Sequence, residues 1–195
     1  MKNDLKKCVS YHGHMCGGLL IGYRAAKAAM RFIKSNFSKD EELVAIVENS
    51  SCFVDAVSVI TGCTFGKGNL IFKDYGKMAM SLLNRKNGEG VRVYFRSEIY
   101  ADSHKEFPTL MNKVLEGTAS EEEKKLFNKI KKERERNLLI KKDNEIFSIK
   151  RVKKPLPPRA RIFKSIKCDI CQEMVMETRL KKTKKGMVCI ECMGK

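Results

Sequence analysis

The eight cysteines of this 195-residue chain fall into two chemically different sets. Cys168, Cys171, Cys189 and Cys192 form two Cys-x2-Cys pairs near the C-terminus. Each pair can present two thiolates to one side of an ion, and two pairs complete a tetrahedron, the coordination that zinc favours. This spacing predicts a structural zinc, which would also staple a tail too short to bury a sufficient core of its own. Cys8, Cys16, Cys52 and Cys63 are instead scattered through the first third of the chain, without ferredoxin spacing. Cys16 closes the run His12-Gly-His-Met-Cys16. In an extended segment His12, His14 and Cys16 would face one side and make a metal or substrate corner. The plainer alternative is that the histidines bond locally and Cys16 is a buried hydrophobe.

The elements that must position these groups can be read from periodicity. Leu19, Tyr23, Ala26, Met30, Ile33 and Phe37 recur at spacings of three and four, predicting a helix over 17–37. Its start would set the positive end of the helix dipole beside Cys16, favouring a thiolate. Gly22, Ala25, Ala28 and Ala29 leave a second face narrow enough for close packing. A buried strand is expected over 43–47. A helix over 52–61 follows, stopped by Gly62 and bracketed by Cys52 and Cys63, with Asp55 one turn inside it. Strands are expected over 69–72, 77–83 and 91–95, the last two joined by a turn at 84–90. Helices should follow over 107–116 and from the Ser120–Glu123 capping box, and a last strand over 145–152. The glycine-rich Gly62–Gly68 stretch fails the phosphate-loop pattern, although its amides could still meet an anion. Pro155, Pro157 and Pro158 mark a stiff linker.

Forty Lys+Arg against 23 Asp+Glu give a net charge of +17, and residues 150–195 carry +10 of it. Such a tail attracts polyanions, nucleic acid among them. No apolar run approaches the roughly 20 residues of a membrane span, and the N-terminus lacks a signal-peptide stretch. Together with metal-type cysteine spacing, this predicts a cytoplasmic protein.

The ordered series His12-Gly-His-Met-Cys-Gly-Gly-Leu19, Cys52-Phe-Val-Asp-Ala-Val57, Thr61-Gly-Cys-Thr-Phe-Gly-Lys-Gly-Asn-Leu70 and Asp74-Tyr-Gly-Lys77 resembles the FmdE family, named for a component of formylmethanofuran dehydrogenase. The Pro157-x-x-Ala-Arg-Ile-Phe163 approach and the terminal cysteine pairs resemble it too. The family usually has proline after the HGHxC cysteine, where this chain has Gly17. The resemblance implies an α+β fold, a core of helices on a mostly antiparallel sheet, followed by a small zinc ribbon. It also implies a homodimer through intertwined elements and a cavity lined by the HGHxC residues and the second-helix cysteine. By that analogy His12, His14, Cys16, Cys52 and Cys63 are the core site. His14, Cys16 and Cys52 are expected to converge, with His12 and Cys63 nearby, around a possible second transition metal.

The expected organisation is a core over 1–153, a linker over 154–166 and a zinc ribbon over 167–195. The leading functional expectation is a metal-binding accessory protein associated with a molybdenum or tungsten metalloenzyme or its metal supply. Two alternatives stand beside it. One is a metal- or thiol-dependent enzyme using the HGHxC and Cys52 cavity. The other is a ligand-sensing regulator that contacts nucleic acid through its basic ribbon.

Overall fold

A computed structural model describes residues 2–100 and 104–194, and it resolves two compact units, Met1–Arg159 and Ala160–Lys195. The first unit is organised by β1 (Leu43–Val47), whose five apolar residues are all buried. Such a run without alternation fits a strand covered on both faces. It pairs in parallel with the short β2 (Leu70–Phe72) and antiparallel with β3 (Ala79–Asn84). β4 (Glu89–Phe95) and β5 (Phe147–Lys153) continue the antiparallel side, giving the order β2-β1-β3-β4-β5. β3 and β4 approach closely at Gly90, where an added Cβ would sit 1.9 Å from the Leu82 carbonyl oxygen.

One face of this sheet carries α1 (Lys2–His12), α2 (Gly17–Phe32) and α3 (Phe53–Thr61). Leu19, Tyr23, Ala26 and Ala29 of α2 join Phe53 and Val57 of α3 above Leu43, Ala45, Leu82 and Val93 in the main core. Helix α2 stops five residues before the expected end. Lys34 takes a left-handed φ of 50°, while the Ser35 N–H donates to the Met30 carbonyl in a Schellman-type close. Phe37 therefore leaves the helical stripe and is 56% exposed. The narrow face of α2 is filled from within the chain: a Cβ on Gly22 would sit 2.2 Å from the Phe53 carbonyl oxygen. That face is therefore not free to meet a second copy.

The run before Gly13 is helical rather than extended. Leu5, Cys8 and Val9 of α1 turn toward the core, and Gly13 reverses the chain at φ 92°. Beyond the sheet lie α4 (Phe107–Leu115), α5 (Glu121–Ile140) and the short α6 (Asp143–Ile146). The Ser120 capping box forms, with both of its reciprocal hydrogen bonds. Ile130 and Leu138 are the residues that α5 buries, while Leu126 stays exposed. Arg24, almost fully buried, ties α2 to this region through the Leu138 carbonyl, the Lys141 carbonyl at 2.7 Å and Asp143 at 2.9 Å. Burial alone would raise the Asp143 pKa, but hydrogen bonds from Arg24 and Arg31 outweigh it and hold the carboxyl below its ordinary value.

Val44, Ile46 and Leu83 face the other side of the sheet and meet Val152 and Leu156. The first residues of the expected 154–166 linker pack here. The Lys154 ammonium donates to Ser81 Oγ at 2.9 Å, and Arg85 donates to the Pro157 carbonyl at 2.6 Å. Glu48, 3% exposed, accepts a two-pronged bond from Arg92 at 2.7 and 2.6 Å. That bond keeps its carboxyl below the usual range.

In the second unit β6 (Ser165–Lys167) pairs with β7 (Met174–Met176), and β8 (Leu180–Thr183) with β9 (Gly186–Cys189), before α7 (Ile190–Met193). The insert between the cysteine pairs divides. Its first strand returns to residues just before Cys168, and its second half makes a separate hairpin. Five basic residues counted with the tail, Lys150, Arg151, Lys153, Lys154 and Arg159, belong to the first unit. The second unit alone has nine basic and four acidic side chains, a net of +5. Among the described residues no helix is long and apolar enough to cross a membrane.

Candidate metal centres

Three elements of the first unit deliver one donor each to a common point. His12 ends α1, Cys16 is the N-cap of α2, and Cys52 is the N-cap of α3. The tight crossing at Gly22 and Phe53 draws α2 against α3, and an added Cβ on Gly18 would lie 3.4 Å from the Cys52 Cβ. As a result a ring nitrogen of His12 and the sulfurs of Cys16 and Cys52 all lie within 4.8 Å of one another. The Cys16 sulfur accepts from the Leu19 N–H at 3.4 Å. It thus caps the helix as a serine oxygen would. Burial, followed by the hydrogen bond with Cys16, pushes the Cys52 thiol up.

Asp55 completes the arrangement. Its Oδ2 lies 2.7 Å from His12 Nδ1, while His12 Nε2 points toward Cys16 Sγ at 3.9 Å. A carboxylate accepting from Nδ1–H leaves the Nε2 lone pair for an ion, the relation that metal-binding histidines usually show. Asp55 is not among the ligands expected from sequence. Its position one turn after Cys52 becomes informative only once α3 is fixed beside α1.

The other expected groups stand apart from this trio. His14 is exposed, its ring tilted against that of His12 at a centroid distance of 4.7 Å. Gly13 accounts for the exchange: its left-handed turn leaves His12 on the helix, facing inward, and carries His14 past it. Cys63 is fully buried in the core, and that burial raises its pKa. Cys8 is likewise fully buried and pushed up to about 11, first by burial and then by Asp4. Neither belongs to the group that could share an ion with the trio.

In the second unit the ligand atoms of Cys168, Cys171, Cys189 and Cys192 also lie within 4.8 Å of one another. Cys171 and Cys189 sulfurs are 4.0 Å apart, close to the roughly 3.8 Å edge of a tetrahedron with 2.3 Å zinc–sulfur bonds. The Cys189 N–H donates to Cys168 Sγ at 3.4 Å. That bond, then the N–H of Cys171, holds the Cys168 thiol down to about 6. Hydrogen bonding with Cys189, and then burial, pushes Cys192 up to about 12. Four thiols crowded this closely fit a cation that would draw them together. Among the described residues these are the two groups of this kind.

An α+β core with a two-cysteine, one-histidine centre, followed by a small four-cysteine unit that fits a zinc ribbon, defines the class of protein. The chain belongs to the FmdE family, whose sequence model, described as "FmdE, Molybdenum formylmethanofuran dehydrogenase operon", matches residues 11–148. A solved structure from Syntrophus aciditrophicus, an FmdE-like protein of the tungsten formylmethanofuran dehydrogenase type, superposes with a TM-score of 0.63 at 26% identity. That match covers 99% of this chain and 91% of the other. A protein of Archaeoglobus fulgidus named "Probable S-adenosyl-L-methionine-binding protein" is 34% identical over 97% of this chain. The chain spans only 52% of that relative's length.

Proposed function

We propose that this chain is a metal-binding accessory protein serving a formylmethanofuran dehydrogenase-type molybdenum or tungsten enzyme, or the metal supply of such an enzyme. The observation that carries the reading is the convergence of His12, Cys16 and Cys52, with Asp55 orienting the histidine. Two sulfurs and one imidazole suit a soft or borderline divalent ion, and three protein ligands leave a position open for exchange or delivery. The family and the Syntrophus neighbour supply the enzyme with which such a carrier would work. The tail cysteines would hold a zinc whose part is to fold the ribbon. Two thiolate centres suit a reducing cytoplasm, and a homodimer is carried by the family resemblance. The name of the Archaeoglobus relative describes a protein about twice as long, so its ligand is not assigned to this half.

Cobalt(II) titration of the purified full-length chain tests the metal reading. Wild type should show thiolate-to-cobalt absorption from two centres, and Cys16→Ser/Cys52→Ser should lose one of them. Equal cobalt uptake by both proteins would overturn the core centre. Co-purification of the formylmethanofuran dehydrogenase on tagged protein tests the accessory role. The sulfurs of Cys16 and Cys52 lie close enough to favour a second reading, a redox-active dithiol. That reading would lead if both thiols titrate but no metal binds.

A further inference from the structure

A cleft of about 650 Å³ opens beside the trio, with His12 and Cys52 in its lining. Its walls are aromatic: Tyr11 is 66% exposed, Phe65 82% and Phe72 47%. Large rings left in water beside a polar centre mark a binding surface more often than scattered apolar residues do. Phe65 is presented by the Gly62–Gly68 loop, and the geometry explains what that loop does. Most of its amides and its lysine are already engaged. Thr64 N–H donates to Asn69, Lys67 N–H to Thr64 and Gly68 N–H to the Phe65 carbonyl. The Lys67 ammonium reaches the Ser38 carbonyl at 2.9 Å and that of Lys39 at 3.3 Å. With its lysine and most of its amides turned to the chain itself, the loop keeps little for an anion. It is a stiff mount that holds one aromatic ring over the cleft.

The charge of the lining is equally specific. On a chain of net charge +17, the described lining of the cleft has one carboxylate, Asp55, and no lysine or arginine. Phosphorylated or carboxylated molecules would meet the Asp55 carboxylate there and, among the described lining residues, no lysine or arginine to pair with. The hydroxyls of Ser50 and Ser58 line it without a hydrogen-bond partner among the described residues. We infer that this cleft is a small-molecule site for an uncharged or cationic ligand with a planar ring, stacked on Phe65 and Phe72 and turned toward the His12–Cys16–Cys52 centre. The site extends the metal-centre reading, but its walls do not require an ion.

Two fluorescent probes of similar shape test this on metal-stripped, full-length protein: neutral N-phenyl-1-naphthylamine and anionic 1-anilinonaphthalene-8-sulfonate. The neutral probe should bind at one site per chain and more tightly than the anionic one. Phe65→Ala/Phe72→Ala should weaken it by about tenfold or more, as expected when two ring contacts are removed. Phe37→Ala, which lines a different cleft, should leave it unchanged. Equal binding of both probes, or no loss in the double variant, overturns the inference. So does conversion of a dimer to a monomer by Phe65→Ala/Phe72→Ala, which would make the rings a contact between copies. Probe binding that persists while cobalt fails to bind would refute the metal centre and leave the cleft standing.

Discussion

The two sulfur centres of this protein are built in opposite ways. In the tail, all four donors come from two short turns of one small unit, and backbone N–H groups already point at the sulfurs. In the core, three donors arrive from the ends of three helices separated by up to 40 residues of sequence. The fourth position is left to a cleft, and a carboxylate orients the histidine. A closed set of four thiolates suits a metal that stays and folds the chain. An open set of three, resting on a core that folds around its own apolar residues, suits a metal that exchanges. The tail centre should therefore be lost together with its fold, and the core centre without it.

The strongest test of that contrast is Cys189→Ser. Apparent binding energies of structural zinc in small domains are about 10–16 kcal/mol at neutral pH, so losing one ligand should unfold the second unit. Near-native dispersion of the tail's amide resonances in this variant would break the comparison, whereas an unchanged core melting transition would support it. Next in size is Gly22→Ala, whose methyl would meet the Phe53 backbone. Overpacking of this kind costs about 3 kcal/mol, and by separating α2 from α3 it should abolish core metal uptake while leaving the tail metal bound. Normal core occupancy with unchanged melting would show that the crossing does not set the site.

Arg92→Ala should cost about 2–3 kcal/mol in chemical denaturation. This is less than the roughly 3–5 kcal/mol for breaking a fully buried pair, because Arg92 is partly solvated. The same pair predicts a pH dependence. The Glu48 carboxyl is held below its ordinary 4.5, so its contribution is complete above that value and is lost as pH falls through the lower folded pKa. Glu48→Gln should flatten the acid limb of core stability; an unchanged limb would assign it to other carboxylates. Asp55→Asn should weaken core metal binding about 10- to 100-fold with little change in stability, since its effect passes through His12. Equal loss of folding and binding would make Asp55 a structural residue instead. The smallest effect is expected for Gly17→Pro. Gly17 is the first residue of α2 and has open space at its Cβ, so proline should be tolerated and should stabilise by about 0.4–1 kcal/mol.

The same contrast explains what can be read from the chain. The tail centre is legible because its geometry is local, two ligands per turn. β1 is equally plain, five apolar residues bounded by charge. The core centre is legible in its sulfurs but not in its histidine. Choosing His12 over His14 requires knowing that Leu5, Cys8 and Val9 wind a helix up to His12 and that Gly13 then turns left-handed. The long α2 is recognisable from its stripe, but its end is not, because Phe37 continues the period after Lys34 has broken the backbone. The small-residue face of α2 suggests close packing, but only the structure shows that α3 is what packs against it. Residues 154–157 carry linker composition, yet Leu156 and Lys154 are drawn onto the sheet by partners 70 or more positions earlier.

The central claim is that one chain carries two separate centres, one open and one closed, and elemental analysis of metal per chain tests it most directly. Full-length protein purified without added chelator should contain two metal ions per chain. Cys16→Ser/Cys52→Ser should contain one, with the tail still folded, and Cys189→Ser should retain only the core ion. One ion per chain in wild type, retained in Cys16→Ser/Cys52→Ser and lost in Cys189→Ser, would contradict the account by reducing the core trio to an ordinary cluster of side chains.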